Sequence, residues 1–461
     1  MPFRETIAAI ATPPGVGGIG LIRISGPSAE GIARRLFRPA RPLAAFISHH
    51  LTHGQIVAPE TGAVLDDVLV AFMEGPHTYT GEDMLEINCH GGPFILRTVL
   101  DEVFHAGARP AERGEFTKRA FINNRLDLSQ AEAVYDLITA QTREGLCAAA
   151  DRLQGNLSGR IGSIRNAIID LLAGIEAAID FAEEDGVVEA SDTGFTELTA
   201  VIDDINALAT TYRRGRITRE GVGIVIAGRP NVGKSSLLNR LLGEKRAIVT
   251  AIPGTTRDFI EEAIDIAGIP VRLTDTAGIR PPENAIEQEG IGLVWQRLTT
   301  ADAILVLLDG STALTPDDRE LLGKVQAKPL IPVINKSDLP QLLDGAQLKG
   351  LLPEATPDPI RISAKYGSGI ENLTTAIREM LLVQPAEEAP ETMITHLHQK
   401  VSLERTAECL TRAQNGLHEG LPPELVALEV REALDALGEI TGRTTSEEVI
   451  ERIFAKFCVG K

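Results

Sequence analysis

The chain has 461 residues, with 45 Lys and Arg against 64 Asp and Glu, for a formal net charge of −19. That length predicts about three domains, and a surface this acidic argues against tight, independent binding of nucleic acid, whose affinity rests largely on phosphate neutralisation. No apolar run is long enough to span a bilayer, and Arg4 and Glu5 interrupt any secretory leader; Cys89, Cys147, Cys409 and Cys458 are scattered without a C-x-x-C pair, which points to a reducing cytoplasm.

The N-terminal stretch contains Ala11-Thr-Pro-Pro-Gly-Val-Gly-Gly-Ile-Gly-Leu-Ile-Arg-Ile-Ser-Gly26. Gly15, Gly17 and Gly20 match a dinucleotide fingerprint by spacing. The reading fails on context, because Leu21–Ser25 is a strand pattern where such a loop must open a helix. Two dense motifs follow: Tyr79-Thr-Gly-Glu-Asp-Met-Leu-Glu-Ile-Asn-Cys-His-Gly-Gly-Pro93 and Arg113-Gly-Glu-Phe-Thr-Lys-Arg-Ala-Phe-Ile-Asn-Asn-Arg-Leu-Asp-Leu128. His49, His50 and His53 lie in a polar segment without Cys or carboxylate at ligand spacing, so they read as solvated rather than metal-binding.

Next, Leu157, Ile161, Ile164, Ile168, Leu171, Ile175 and Ile179 step by three and four residues, which predicts one long helix with a single apolar stripe. Glu183 to Asp185 read as its solvated end.

Residues 228–235 read Gly-Arg-Pro-Asn-Val-Gly-Lys-Ser, a complete phosphate loop. The β-branched run Val222–Ala227 predicts a strand before it, and Ser236–Leu242 has helical spacing after it. That order aims backbone N–H groups and a helix N-terminus at one polyphosphate. Lys234 is placed to reach the β- and γ-phosphates, and the Ser235 hydroxyl to ligate Mg²⁺. A strand at Val271 ends in Asp275-Thr-Ala-Gly278; Asp275 would hold Mg²⁺ through water, and the Gly278 N–H would sense the γ-phosphate. Strands at Ala303–Asp309 and Leu330–Asn335 follow, the second running into Asn335-Lys-Ser-Asp338. A carboxylate at Asp338 can accept both the ring N–H and the exocyclic amine of guanine, donors that adenine lacks, so the motif selects GTP. Ile360 to Lys365 close the base pocket from the far side. Alternating strands and helices predict a doubly wound, mostly parallel sheet with nucleotide at the strand C-termini.

Two departures from a Ras-like pattern bear on mechanism. Ile279 stands where many GTPases carry a water-orienting Gln, and no arginine finger is assignable. Thr250-Ala-Ile-Pro-Gly-Thr-Thr-Arg-Asp258 offers Thr256 as the switch I ligand of Mg²⁺. The Asn231 side chain, with the Thr250 and Ile252 carbonyls, could hold a monovalent cation where the transition state gathers negative charge.

After this domain, Pro385 and Pro390 in an acidic stretch mark a linker, and helical spacing resumes with Val401, Leu403 and Leu410, then Leu425, Leu428, Val430, Leu434, Leu437 and Ile440. The economical architecture is a discontinuous helical domain with the nucleotide domain inserted, and hinges at Gly215–Gly221 and near Val383.

The phosphate-loop, Pro253-Gly-Thr-Thr-Arg-Asp258 and Asp275-Thr-Ala-Gly-Ile-Arg280 motifs resemble the TrmE–Era–EngA branch of bacterial GTPases. The N-terminal motifs and the terminal Phe457-Cys-Val-Gly-Lys461 narrow the resemblance to the MnmE (TrmE) family of tRNA-modification GTPases, over essentially the whole chain. Era-like proteins carry a C-terminal KH domain, and no GXXG loop follows residue 382.

The resemblance implies four segments: an α+β folate-binding and dimerisation domain at 1–121, helical segments at 122–217 and 382–461, and the GTPase domain at 218–381. It implies GTP contacts from Asn231, Val232, Gly233, Lys234, Ser235 and Ser236; from Thr250, Ala251, Ile252, Pro253, Gly254, Thr255 and Thr256; from Asp275, Thr276, Ala277 and Gly278; from Asn335, Lys336, Ser337 and Asp338; and from Ser363, Ala364 and Lys365. Mg²⁺ falls to Ser235 and Thr256, and K⁺ to Asn231, Thr250, Ile252 and Thr255. Catalysis falls to Lys234, Asn231 and Glu287, the last orienting water on the switch II helix, with Glu289 as its control. Arg23, Glu86, Arg125 and Lys461 are the implied contacts of 5-formyl-tetrahydrofolate. Arg257 and Asp258 stabilise switch I, make a cross-subunit contact, or only shape the loop; Cys458 is a nucleophile, a carbon carrier, or a thiol packed among helices. The implied partners are a second copy in a homodimer, a flavin- and NADH-dependent protein of the MnmG (GidA) type in a heterotetramer, and tRNA reached mainly through that protein. The rival readings are a ribosome-assembly GTPase switch without modification chemistry and a folate-dependent aminomethyltransferase-like enzyme in which GTP only regulates.

Overall fold

The computed structural model describes residues 5–180, 192–245, 262–266, 268–275, 301–325, 328–353, 356–381 and 392–461. The chain forms two compact units, one from residues 1–135, 153–189 and 412–461, the other from 136–152 and 190–411. Among the described residues no helix is long and apolar enough to cross a membrane.

The first unit carries a seven-stranded sheet of β1 (Ile7–Ile10), β2 (Gly17–Ser25), β3 (Phe37–Pro39), β4 (His50–Val57), β5 (Val64–Met73), β6 (Met84–Gly91) and β7 (Arg109–Pro110), in the order β3-β4-β5-β6-β2-β1-β7. Every pairing is antiparallel except β1 with β7. Period-2 alternation sends Ile22, Ile24, Leu85, Ile87, Val68 and Val70 into the core beneath the helices Ala29–Leu36 and Pro93–His105. Arg23 and Glu86 fall on the opposite face, directly across from one another in the β2–β6 register. The Gly15–Gly20 stretch indeed leads into a strand.

The long helix is Asn156–Asp180, which packs along the helix Pro423–Thr441. Leu157, Ile161, Ile164, Ile168 and Ile175 are buried on the expected stripe, while Leu171 and Ile179 are only half-buried. On Pro423–Thr441 the core positions are Val426, Val430, Ala433, Ala436, Leu437 and Ile440; Leu425 and Leu428 are exposed, because they sit off that face in the first turns. The C-terminus returns to the sheet. Phe454 and Phe457 pack with Ala131 and Val134, and Arg113 bridges Val459. Gly114, at φ 68°, lets the Phe454 carbonyl approach so closely that a Cβ would meet it at 2.6 Å.

The second unit is built on β8 (Val222–Ala227), β9 (Glu262–Ile266), β10 (Ile269–Asp275), β11 (Ala303–Asp309), β12 (Leu330–Asn335) and β13 (Ile360–Arg361), ordered β13-β12-β11-β8-β10-β9. All neighbours run parallel except β9 with β10. β8 has β10 on one side and β11 on the other, so the chain reverses direction across the sheet at β8, and the crevice opens at its C-terminal end.

The expected hinge at 215–221 is instead a helix, Tyr212–Glu220, ending at Gly221. Gly215 is buried within it, and any Cβ there would strike the Ile394 carbonyl. Beside it Asp136 binds Arg152 at 2.7 Å and His396 Nε2 at 3.1 Å, and Arg219 donates to His396 Nδ1. Arginine cannot accept, so His396 is neutral with its hydrogen on Nε2.

Candidate functional site

β8 ends at Ala227, and the chain enters the phosphate loop. Asn231 stands at φ 64° and Gly233 at φ 102°, left-handed positions of the kind that gather successive N–H groups into an anion-binding nest. Only glycine fits at 233, since a Cβ would fall on the Asn335 amide nitrogen. Lys234 is buried at the start of the helix Lys234–Lys245. Its ammonium donates to the carbonyls of Gly228 (2.8 Å) and Arg229 (2.7 Å), which laces the loop closed. Ser235 and Ser236 are exposed at that helix N-terminus, where the dipole favours an anion. The cradle without a Cβ, the lysine and the hydroxyls suit a polyphosphate and its Mg²⁺.

The base side is held by Asn335. Its Nδ2 donates to the Val232 carbonyl (2.8 Å) and its Oδ1 accepts from the Ala364 amide (2.9 Å), so one buried side chain ties the phosphate loop to the Ser363–Lys365 loop. Ser363 donates to Asp338 Oδ1 at 2.6 Å and aims that exposed carboxylate. The Ser337 amide donates to the Ile362 carbonyl at 3.0 Å. Lys336, at φ 63°, reaches back to Asp309 at 2.6 Å. Burial pushes the Asp309 carboxyl up, but the Lys336 and Ser311 bonds outweigh it and hold the group below its usual range. Arg240 from the first helix donates to the carbonyls of Ala364 (3.4 Å) and Lys365 (2.6 Å).

The phosphate and base motifs therefore converge. Asp275 closes β10, but its side chain lies outside the described residues. So do Thr250, Ala251, Ile252, Pro253, Gly254, Thr255, Thr256, Arg257 and Asp258 of switch I, and Thr276, Ala277, Gly278, Ile279, Glu287 and Glu289 of switch II. Glu183 to Asp185 and the linker prolines Pro385 and Pro390 lie outside as well.

A second cluster forms on the open face of the N-terminal sheet. Arg23 Nε and its terminal nitrogen lie 2.9 and 2.8 Å from Glu86 Oε1. The same guanidinium reaches the Gly460 carbonyl at 3.5 Å and lies 5.6 Å from the Tyr79 ring centre and 6.0 Å from that of Phe116. Lys461 joins the cluster: burial, and then the Arg23 charge, push its amine below the usual lysine range. Burial pushes the Tyr79 phenol up, against the bond it shares with Thr117 at 2.8 Å. Arg125 stands one step away, donating from Nε to the Thr78 carbonyl at 3.0 Å. A carboxylate beside two cations suits a ligand with an amino-substituted ring and an anionic tail, as a reduced folate has. Cys458 is exposed, so it is not the thiol packed among helices that one reading expected. The three histidines do not converge. His49 bonds the His77 carbonyl at 3.0 Å, while His53 pairs with Asp67.

Sequence reasoning missed the Asn335 brace, Asp309, Tyr79, Phe116 and Gly460. Asp309 had a signal, since it ends a buried strand at the ligand-binding edge, in register with Asn335. The others depend on contacts between distant segments.

A glycine cradle at the switch point of a parallel sheet, braced to a loop that presents a carboxylate for guanine, defines the class as a phosphate-loop GTPase domain. Comparison with known proteins extends this beyond the domain. The family profile described as MnmE helical domain matches residues 128–458, and that described as GTP-binding protein TrmE N-terminus matches residues 6–125. The tRNA modification GTPase MnmE of Syntrophus aciditrophicus is 49% identical, covering 100% of both chains, and that of Natranaerobius thermophilus is 46% identical, covering 99% of this chain and 100% of its own. A solved structure of Aquifex aeolicus Era bound to GDP and AlF4⁻ is 30% identical, covers 41% of this chain and 67% of that one, and has a TM-score of 0.27. The chain belongs to the MnmE family.

Proposed function

We propose that this chain is the GTP-hydrolysing component of the machinery that modifies carbon 5 of the tRNA wobble uridine, installing an aminomethyl or carboxymethylaminomethyl group with a flavin- and NADH-dependent partner of the MnmG type. GTPase activity in tRNA modification comes with the family, whose members match from end to end. The observation that carries the reading on this chain is the Asn335 brace between phosphate loop and base loop; the Arg23–Glu86–Lys461 cluster of the N-terminal sheet is a separate site that supports the folate part of it.

Lys234 moves from the loop carbonyls toward the β- and γ-phosphates as nucleotide enters, and Asp338, aimed by Ser363, accepts the guanine donors. Ser235 and Thr256 would hold Mg²⁺, and Asn231 with the backbone of Thr250, Ile252 and Thr255 would hold K⁺. Both ions supply positive charge where the transition state gathers negative charge. Glu287 orients the attacking water in place of the missing glutamine. Arg23, Glu86, Arg125 and Lys461 hold 5-formyl-tetrahydrofolate, the one-carbon donor. We read residues 1–121 as the folate and dimerisation domain, 218–381 as the GTPase domain, and 122–217 with 382–461 as one discontinuous helical domain. The setting is the cytoplasm, the working form a homodimer within a heterotetramer, and most tRNA affinity belongs to the partner.

The test is nucleotide and cation choice in the purified chain. GTP should be hydrolysed in preference to ATP, much faster in K⁺ than in Na⁺, and Glu287→Ala should bind GTP but lose most turnover. Equal rates in the two salts would remove the K⁺ site, and equal use of ATP would remove the guanine assignment.

A further inference from the structure

The first unit holds a groove of about 470 Å³ that lies outside the nucleotide site and shares only Arg125 with the residues assigned to the folate. Phe121, Leu126 and Ile161 line it, together with Arg125, Arg165 and Arg443. Among the described residues, Arg165 and Arg443 make no ion pair or side-chain hydrogen bond, and Arg125 engages only its Nε, on the Thr78 carbonyl. The acidic residue in the lining, Asp127, is engaged elsewhere. Its Oδ1 accepts from Ser129 Oγ (2.8 Å) and the Gln130 amide (3.0 Å), and Gln130 Oε1 accepts from the Asp127 amide (3.0 Å). This reciprocal cap directs the Asp127 charge into the N-terminus of the helix Leu128–Thr139, where the dipole absorbs it. Three guanidinium groups thus share one groove with a single carboxylate that is already held in a helix cap, in a chain whose net charge is −19.

Guanidinium forks match phosphate oxygens, and a half-buried aromatic in an apolar floor offers a face for an unstacked base. Resting on the tRNA-modifying function proposed above, we infer that this groove takes a single-stranded stretch of the RNA substrate, with phosphates on Arg165 and Arg443 and a base against Phe121. Its position suits that task. Arg125 is anchored on Thr78, whose neighbour Tyr79 carries Arg23 above its ring, so one side chain joins the groove to the N-terminal cluster. Two or three phosphate contacts give a weak, orienting grip, compatible with a partner that supplies most of the affinity.

The experiment uses the full chain with its partner and a substrate tRNA, comparing wild type with the Arg165→Gln, Arg443→Gln double variant. KM for tRNA should rise about tenfold, and the slope of log affinity against log salt should flatten by about 1.4, from two contacts at roughly 0.7 each on a single strand. GTP turnover and reduced-folate affinity should not move, and Arg→Lys at both positions should restore part of the KM. An unchanged KM and salt slope would overturn the proposal. Weakened folate binding with tRNA kinetics intact would overturn it too, by giving the groove to the anionic tail of the folate. If the wild-type pair modifies no tRNA, the function itself fails and the groove's RNA assignment falls with it; the double variant plays no part in that result.

Discussion

The phosphate loop and the Arg23 cluster are both built from charge and close approach, but on opposite plans. The first is a continuous motif, Gly228 to Ser235, whose backbone angles make the site, with distant support from Asn335 and from Asp318 through Arg229. The second is assembled from residues 23, 79, 86, 116 and 460–461, and sheet register with a returning C-terminus makes the site. A backbone site should therefore be broken by adding an atom, and a register site by removing a charge.

The largest effect is expected at Gly233→Ala. The new Cβ meets Asn335 and the backbone is held at φ 102°, so ~3 kcal/mol of strain and lost bracing should weaken GTP binding by about 100-fold or more, read by nucleotide titration with the fold checked by circular dichroism. Asn335→Ala comes next. It leaves the Val232 carbonyl and the Ala364 amide without their partner, at ~1–3 kcal/mol for the buried groups, and GTP affinity should fall about 10- to 30-fold. Glu86→Ala should leave GTP turnover as it is and lower reduced-folate affinity about tenfold, measured by calorimetry. If it slows GTP hydrolysis instead, the two regions are not separable in the way their construction suggests.

The smallest effect separates the two units by acid. In the first, burial pushes the Glu115 carboxyl up, but bonds from Arg109, the Glu112 amide and Arg119 outweigh it and hold it at about 2. Its folded value lies below the unfolded one, so it stabilises above pH ~4.5 and that contribution drains as pH falls toward 2. In the second, burial lowers the His396 pKa, so the neutral ring stabilises above its ordinary 6.5 and stability is lost as pH falls below that value. Asp136, pushed up by burial but held at about 2 by the His396 bond with Arg152 and Arg219 nearby, adds a second loss from below ~4. Urea unfolding between pH 8 and 3 should show the second unit weakening first, by at most ~1.4 kcal/mol per pH unit for each proton taken up. His396→Gln should abolish the early loss.

The same contrast governs what could be read from residue order. The strand–loop–helix around Lys234 was legible because β-branched residues, glycines and helical spacing are local signals, and β8 and its neighbours lie where those signals put them. The apolar stripe of 157–179 predicted its helix, but that Ile175 is buried and Leu171 only half-buried depends on packing against distant segments, the helix Pro423–Thr441 among them. Gly215 reads as a hinge by composition; in the fold its missing Cβ serves the approach of the Ile394 carbonyl, a contact 179 positions away that no local pattern carries. Arg23 and Glu86 came only through family resemblance, since nothing short of strand register pairs residues 63 apart.

The most direct measurement is mass spectrometry of wobble nucleosides from cells that lack this chain, complemented with wild type or with Gly233→Ala. Wild type should restore the aminomethyl-type uridine and the variant should leave the unmodified base. Modified uridine at normal levels in the uncomplemented cells, or full rescue by Gly233→Ala, would contradict a GTP-driven role in this modification.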